Sequence, residues 1–429
     1  MDQEHKNLRV SEMAGTLKGS EIIRLAGEIN DKIKAGKHIY NFTIGDFDPH
    51  LFPLPERLKE EIITAYHENE TNYPAANGIL SLRKEISSLI GSQLGLEYSP
   101  EEILVAGGAR PLIYAAYQAL INPGDMVLFP VPSWNNNHYT HLSRANSIMV
   151  ETKPENDFMP SADELKPYIS EASMLAVCSP LNPTGTVFSK TGLLNICRLV
   201  MEENKRRGPL KKPLYLLFDQ IYWMLTFENQ QHFDPVSLLP EIRPYTIYID
   251  GISKSFAATG VRVGWAFGPE DLISKMKSIL GHVGAWAPKA EQVATARYLS
   301  QKETMLSDLN LLKDRIYKRL NLIYKGFKDL KSEGYPIDCI SPAGAIYLTV
   351  KFSLKGYKTS EGKVITNSSD VTSYLLDKAG LAIVPFFAFG ASADSEWFRL
   401  SVGTIKTDEI PEVIERIKLS MNVLIDNTK

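Results

Sequence analysis

The stretch Tyr248-Ile-Asp250-Gly-Ile-Ser253-Lys254-Ser255 runs an aliphatic segment into a Ser/Gly turn that carries one lysine, and Arg262 follows eight residues later. A lysine at the carboxyl end of a strand sits where open α/β sheets bind ligands, so the chemistry on offer is that of an amine near an arginine. Alone, Ser253-Lys254-Ser255 reads as an ordinary solvated loop. Other segments share this double character. Asn182-Pro183-Thr184-Gly185 is a good turn in its own right. Asp219, with Tyr222 three residues on, reads alone as a helix cap. There is no Gly-x-x-x-x-Gly-Lys-Ser/Thr, no Gly-x-Gly-x-x-Gly after the first strand, no Gly-x-Ser-x-Gly and no His-Glu-x-x-His. His138 and His141 stand three apart with no third ligand nearby, which favours packing or surface histidines over a metal site.

The scaffold that must position these residues spans 429 residues, long enough for two or three domains. Short aliphatic runs at 103–105, 126–129, 174–177, 214–218 and 246–249 alternate with helical segments and show little polar alternation. That pattern predicts a doubly wound, mainly parallel sheet covered on both faces. The texture changes after a charged helical stretch, Lys302 to Ser332. Strand-like runs follow at 345–350, 381–384 and 398–402, with a polar insertion within 351–370, and these predict a small α+β domain. Apolar positions at helical spacing (Ile22, Ile23, Leu25, Ala26, Ile29, Ile33) predict a helix near the start. The expected division is an N-terminal arm and helix over 1–50 joining the small domain, a large domain over 51–310, and a small domain over 311–429.

Lys plus Arg is 47 and Asp plus Glu is 50, a net charge of −3, so neither a nucleic-acid footprint nor a polybasic membrane anchor is expected. The acidic start, Met1 to His5, has no apolar region behind it, and no run of about eighteen apolar residues occurs. Cys178, Cys197 and Cys339 are far apart and odd in number, as in a reducing cytoplasm. A cytoplasmic enzyme that binds neither nucleic acid nor membrane is the expectation.

Taken together, these segments resemble the fold-type I pyridoxal-phosphate enzymes, specifically the class I aminotransferases related to aspartate aminotransferase. The lysine segment with its Gly-x-Arg-x-Gly tail, the Asn-Pro-Thr-Gly turn and the strand ending in Asp219 are matched. So are Gly107-Gly108-Ala109-Arg110-Pro111, Asn122-Pro123-Gly124-Asp125 and Phe398-Arg399-Leu400-Ser401, all in family order. The resemblance implies a large seven-stranded sheet domain, pyridoxal 5'-phosphate as cofactor, α-amino acid and 2-oxo acid substrates, and a homodimer with shared active sites. Lys254 is then covalent anchor and general acid/base, which requires a lysine that titrates lower than in water. Asp219 keeps the cofactor's ring nitrogen protonated, and Asn182 and Tyr222 face its phenolic oxygen. Gly108, Ala109 and Arg110 open a helix toward the phosphate, with Ser253, Arg262 and the neighbouring subunit's copy of Tyr73. Trp134 stacks on the ring face. Arg399 takes the substrate α-carboxylate, helped by Asn182, Gly45 and Trp134.

The sequence departs from the family at Gly251, where a serine is usual, and within Gly281–Pro288, where animal-type enzymes carry a second arginine for the acidic side chain. Trp286, His282 and Phe386 hint instead at an apolar or aromatic substrate side chain, while aspartate stays open. A lyase, decarboxylase or synthase of the same fold is the nearest alternative. A non-catalytic effector-binding module is more remote, because only about forty residues precede Asn41.

Overall fold

The computed structural model describes residues 9–17, 19, 21–228 and 230–428. The acidic start Met1 to His5 lies outside them, as do the side chains of Ile22 and Ile23. Seven strands form the main sheet: β1 (Ile103–Ala106), β2 (Met126–Val131), β3 (Asn146–Glu151), β4 (Ala172–Cys178), β5 (Tyr215–Asp219), β6 (Thr246–Gly251) and β7 (Gly264–Phe267). Their order is β1-β7-β6-β5-β4-β2-β3. All pairings are parallel except those of β7, which runs antiparallel to both β1 and β6.

The missing polar alternation has a direct cause. Leu175, Val177, Leu216 and Phe218 point into one apolar cluster, while Met174, Ala176 and Leu217 between them point into a second on the other face. Both faces are covered, so the middles of the central strands are apolar, and the polar Ser173, Asp219, Thr246 and Asp250 fall within one residue of a strand end. The helix Ala109–Leu120 buries Leu112, Ile113, Ala116 and Leu120 on one side, and Lys190–Arg207 buries Leu193, Ile196 and Val200 on the other. No helix among the described residues is long and apolar enough to cross a membrane.

A second, antiparallel sheet contains β8 (Ile337–Cys339), β9 (Tyr347–Phe352), β10 (Val384–Pro385) and β11 (Trp397–Ser401), in the order β10-β11-β9-β8. The helix Lys302–Ser332 leads to it without a break at residue 310, burying Met305, Leu309, Leu312, Ile316, Leu320, Ile323, Phe327 and Leu330 along one face. The run 381–384, expected as one strand, divides. Leu381–Ala382 pairs with Tyr40–Asn41, and Val384–Pro385 turns away to pair with β11. The sequence reading passed over β3, a largely exposed edge strand, and β7, which lies inside the Arg262 motif. Near the start, the helix Glu21–Lys34 buries Leu25 and Ile29 in a cluster with Phe386 and Phe389.

Backbone crowding ties β6 and β7 to the helix Ala109–Leu120. A Cβ on Gly264 would lie 2.6 Å from the carbonyl carbon of Gly108 and 2.8 Å from the nitrogen of Ala109, whereas one on Gly260 meets open space. Gly264→Ala is therefore expected to cost about 1–3 kcal/mol of unfolding free energy. Gly260→Ala should stay within about 0.5 kcal/mol of the parent. Urea unfolding of both variants measures the contrast.

Candidate active site

The carboxyl ends of β4, β5 and β6 open onto a cavity of about 680 Å³. The register pairs Cys178 with Asp219 and Asp219 with Ile249, so the strands end side by side and Lys254 follows in the single turn Ile252–Ser255. Lys254 Nζ donates to the Gly45 carbonyl at 2.7 Å. Burial pulls the Lys254 amine down to about 8; Arg399, Arg110 and Arg262 push the same way, against the opposing pull of Asp46. Asp219 faces the cavity and accepts a hydrogen bond from the Ile221 N–H at 3.1 Å. Burial pushes its carboxyl up to about 6, and that bond only partly offsets the rise. It has no ion-pair partner among the described residues.

One corner is built for an anion. Gly108, at φ 95°, precedes the first turn of the helix Ala109–Leu120, whose free N–H groups open on the cavity beside Arg262. Arg262 donates from Nη1 to Thr259 O (2.7 Å) and from Nη2 to Gly107 O (2.8 Å). A Cβ on Gly108 would stand 2.2 Å from that Nη2, so both the backbone angle and the space require glycine. Ser253 lines the same corner. At Gly251, where the family's serine is missing, an added Cβ would meet Gly264 Cα at 2.8 Å and Val263 O at 2.9 Å, so the close approach of β7 occupies that space.

The opposite wall holds Arg399, only 2% exposed. Its Nη1 donates to Asn182 Oδ1 (3.1 Å) and its Nη2 to Thr43 O (2.6 Å). The guanidinium lies between the rings of Tyr347 and Phe389, 4.7 and 4.9 Å from their centroids. Nε lacks a partner, and no carboxylate pairs with the group among the described residues. A buried cation without a counter-ion is a site for an anionic ligand. Tyr222 also lines the cavity, its hydroxyl 2.6 Å from that of Tyr347. Trp134 forms a further wall, with the Arg110 guanidinium 5.7 Å over its ring.

The chain thus brings Gly45, Ala109, Arg110, Trp134, Asn182, Asp219, Tyr222, Ser253, Lys254, Arg262 and Arg399 around one cavity, with Gly108 directly behind. It does not bring Tyr73 there. That ring is 83% exposed and packs edge-on against Trp286, 5.2 Å away, in a separate surface hollow beside Asn72 and Lys289. None of the three side chains behind the expected aromatic pocket lines this chain's own cavity. Trp286 sits in that hollow, His282 is exposed near the end of the helix Glu270–Val283, and Phe386 is buried against Phe158 with centroids 5.1 Å apart. Phe386 fills core space that the cavity does not reach. Tyr347, Asp46 and Cys178 line the cavity and escaped sequence reasoning. Nothing local marks Tyr347 as a lining residue, because it reaches the cavity through the packing of the second sheet on the first.

This donor set fits pyridoxal 5'-phosphate. A buried amine of lowered pKa, an unpaired carboxylate across the floor, and a helix start with a fixed guanidinium match an aldehyde, a pyridinium and a phosphate in turn.

Comparison with known proteins agrees with that chemistry. The family model for aminotransferases of class I and II matches residues 37–417. The aspartate aminotransferase of Rhizobium meliloti strain 1021 is 28% identical over 401 residues, 93% of this chain and 92% of its own. A crystal structure of the aspartate aminotransferase from Rhizobium meliloti superposes with a TM-score of 0.88 at 27% identity, covering 97% of this chain and 99% of that one. The Thermus thermophilus aspartate aminotransferase with maleate gives 0.84 at 26% identity, covering 96% and 99%.

The lowered Lys254 pKa is measurable without cofactor. Competitive acylation of the cofactor-free chain, followed residue by residue, should show Lys254 half-maximally reactive near pH 8. Because the neutral amine reacts, its labelling rises most steeply around that pH and levels above it, while surface lysines keep rising toward about 10.4.

Proposed function

The chain belongs to the family of class I and II aminotransferases, and from that membership we propose that its amino donor is an acidic α-amino acid of about aspartate's size. The family sets the reaction as transfer of an amino group between an α-amino acid and a 2-oxo acid with pyridoxal 5'-phosphate. One observation carries the finer reading. Arg110 lines the same cavity as Arg399, and no carboxylate pairs with it among the described residues. Arg399 takes the α-carboxylate, and Arg110 meets the carboxylate of the side chain. The maleate named with the Thermus thermophilus relative is itself a dicarboxylate, which supports this reading.

Bound at this site, the cofactor supplies an electron sink for the bonds at the substrate α-carbon. The chain's residues do the rest. Lys254 carries a proton at Nζ and, titrating near 8, can both take it from and return it to a carbon acid at neutral pH. Asp219 would accept a hydrogen bond from the cofactor's protonated ring nitrogen, and that positive partner would lower its own raised pKa. Asn182 orients Arg399 and, with Tyr222, faces the phenolic oxygen. The backbone N–H groups of Ala109 and Arg110 and the hydroxyl of Ser253 would offer donors to the phosphate, and Arg262 would balance its charge.

Tyr73 completes the site from a second copy. Its exposure on a hollow outside its own chain's cavity supports a homodimer in which it reaches the partner's phosphate. The separate sheets, 103–267 and 337–401, support large and small domains divided near 50 and 310. The three free cysteines support a reducing, cytoplasmic setting.

Arg110→Ser should lower kcat/KM for aspartate about 10- to 150-fold, the roughly 1.5–3 kcal/mol of a hydrogen bond to a charged group, and change phenylalanine less than about threefold. Arg399→Ala should lower both by about 30-fold or more. Equal losses for aspartate and phenylalanine in Arg110→Ser would reject the acidic donor.

The dimer reading has its own test. Mixing inactive Tyr73→Ala and Lys254→Ala chains should restore activity, because some mixed dimers keep one composite site intact. A mixture as inactive as its parents would reject the crossing of Tyr73.

A further inference from the structure

Tyr222 follows the carboxyl end of β5 in the large sheet, and Tyr347 opens β9 in the small one. Their hydroxyls meet at 2.6 Å, both side chains at most 3% exposed, so this hydrogen bond joins the two sheets inside the cavity. Tyr347 is held on two further sides. The Arg399 guanidinium lies over its ring, and a Cβ on Gly45 would come within 2.8 Å of its hydroxyl.

We propose that Tyr347 is a positioning residue for the cofactor, its hydroxyl holding that of Tyr222 so that Tyr222 donates to the phenolic oxygen of pyridoxal 5'-phosphate. A phenol has one proton to give. When Tyr222 directs it at a phenolate, its oxygen is left as an acceptor in a buried place. Tyr347 is the donor within reach there, and its own ring is fixed under Arg399. Two hydroxyls in series polarise each other, so Tyr222 becomes a stronger donor than it would be alone. A tyrosine present only to pack would need the ring and not the hydroxyl.

The test uses the full chain loaded with pyridoxal 5'-phosphate and follows the bound cofactor's visible absorbance against pH. Its deprotonated form carries more negative charge on the phenolic oxygen, so a weaker donor raises the midpoint. Tyr347→Phe keeps the ring under Arg399 and should raise the midpoint by about half a unit or more, a roughly threefold change in the protonation equilibrium. It should lower kcat while leaving KM for amino donors within about twofold, since the carboxylate clamp is intact. Tyr222→Phe should raise the midpoint as well, and the double variant should go no further than Tyr222→Phe, because Tyr347 acts only through Tyr222. A parental midpoint in Tyr347→Phe, or a double-variant shift equal to the sum of the single shifts, would overturn the proposal. A parental midpoint in Tyr222→Phe would overturn it from the other side, by removing Tyr222 as the donor.

Discussion

Four cationic side chains, Arg110, Lys254, Arg262 and Arg399, share one cavity with two carboxylates, Asp46 and Asp219. Everything else in the molecule has to tolerate that excess of positive charge. Arg399 is buried without a counter-ion among the described residues, and Lys254 is held in a place that disfavours its charged form. Such an arrangement is unfavourable in the empty protein and becomes favourable only when anions enter. The family's ligands bring that charge as a phosphate and as carboxylates. Binding and folding are therefore linked, and ligands that neutralise the cavity stabilise the native state by mass action. The two-faced apolar sheet beneath supplies the stability that lets the site remain uncompensated.

The same charge cluster sets the acid–base properties. Lys254 has three guanidinium groups near enough to lower its pKa, and burial adds the largest share. Asp219 moves the opposite way for the same first reason, removal from water. One amine falls toward neutrality and one carboxyl rises toward it. Both protonation equilibria thus come within reach of neutral pH without a metal ligand or a histidine at the reacting centre. A less buried lysine would stay protonated and could not accept a proton.

Much of this was legible in the sequence because the informative residues sit at strand ends, where chain order and space agree. Lys254, Asp219 and Asn182 each lie within a few residues of the carboxyl end of a central strand, and a doubly wound sheet gathers such ends into one place. Gly108 was legible through the resemblance, and the structure supplies its reason, a turn into a helix at positive φ. The failures share a cause too. Tyr347 reaches the cavity only because the second sheet packs against the first, and Phe386 misses it because it packs against Phe158. Neither outcome leaves a local signal. The antiparallel β7 was hidden inside a motif, and the space it takes from Gly251 explains a departure that the motif alone left open.

Burial treats the two arginines proposed to bind carboxylates unequally. Arg399 is enclosed, hydrogen-bonded to Asn182 and Thr43, and packed between two rings, so its planar fork is pre-organised and its contact costs little further ordering. Arg110 is exposed and rests over Trp134, so water competes for its charge and its side chain must order on binding. On the proposed reading, the enclosed contact serves the group that every amino acid shares, and the solvated one serves the group that distinguishes them. An apolar donor leaves Arg110 in water at small cost, instead of stranding it in a dry pocket. Selectivity built this way comes from a gain for acids and carries no strong penalty against other donors, and the apolar wall of Trp134 and Ile113 gives those donors somewhere to pack.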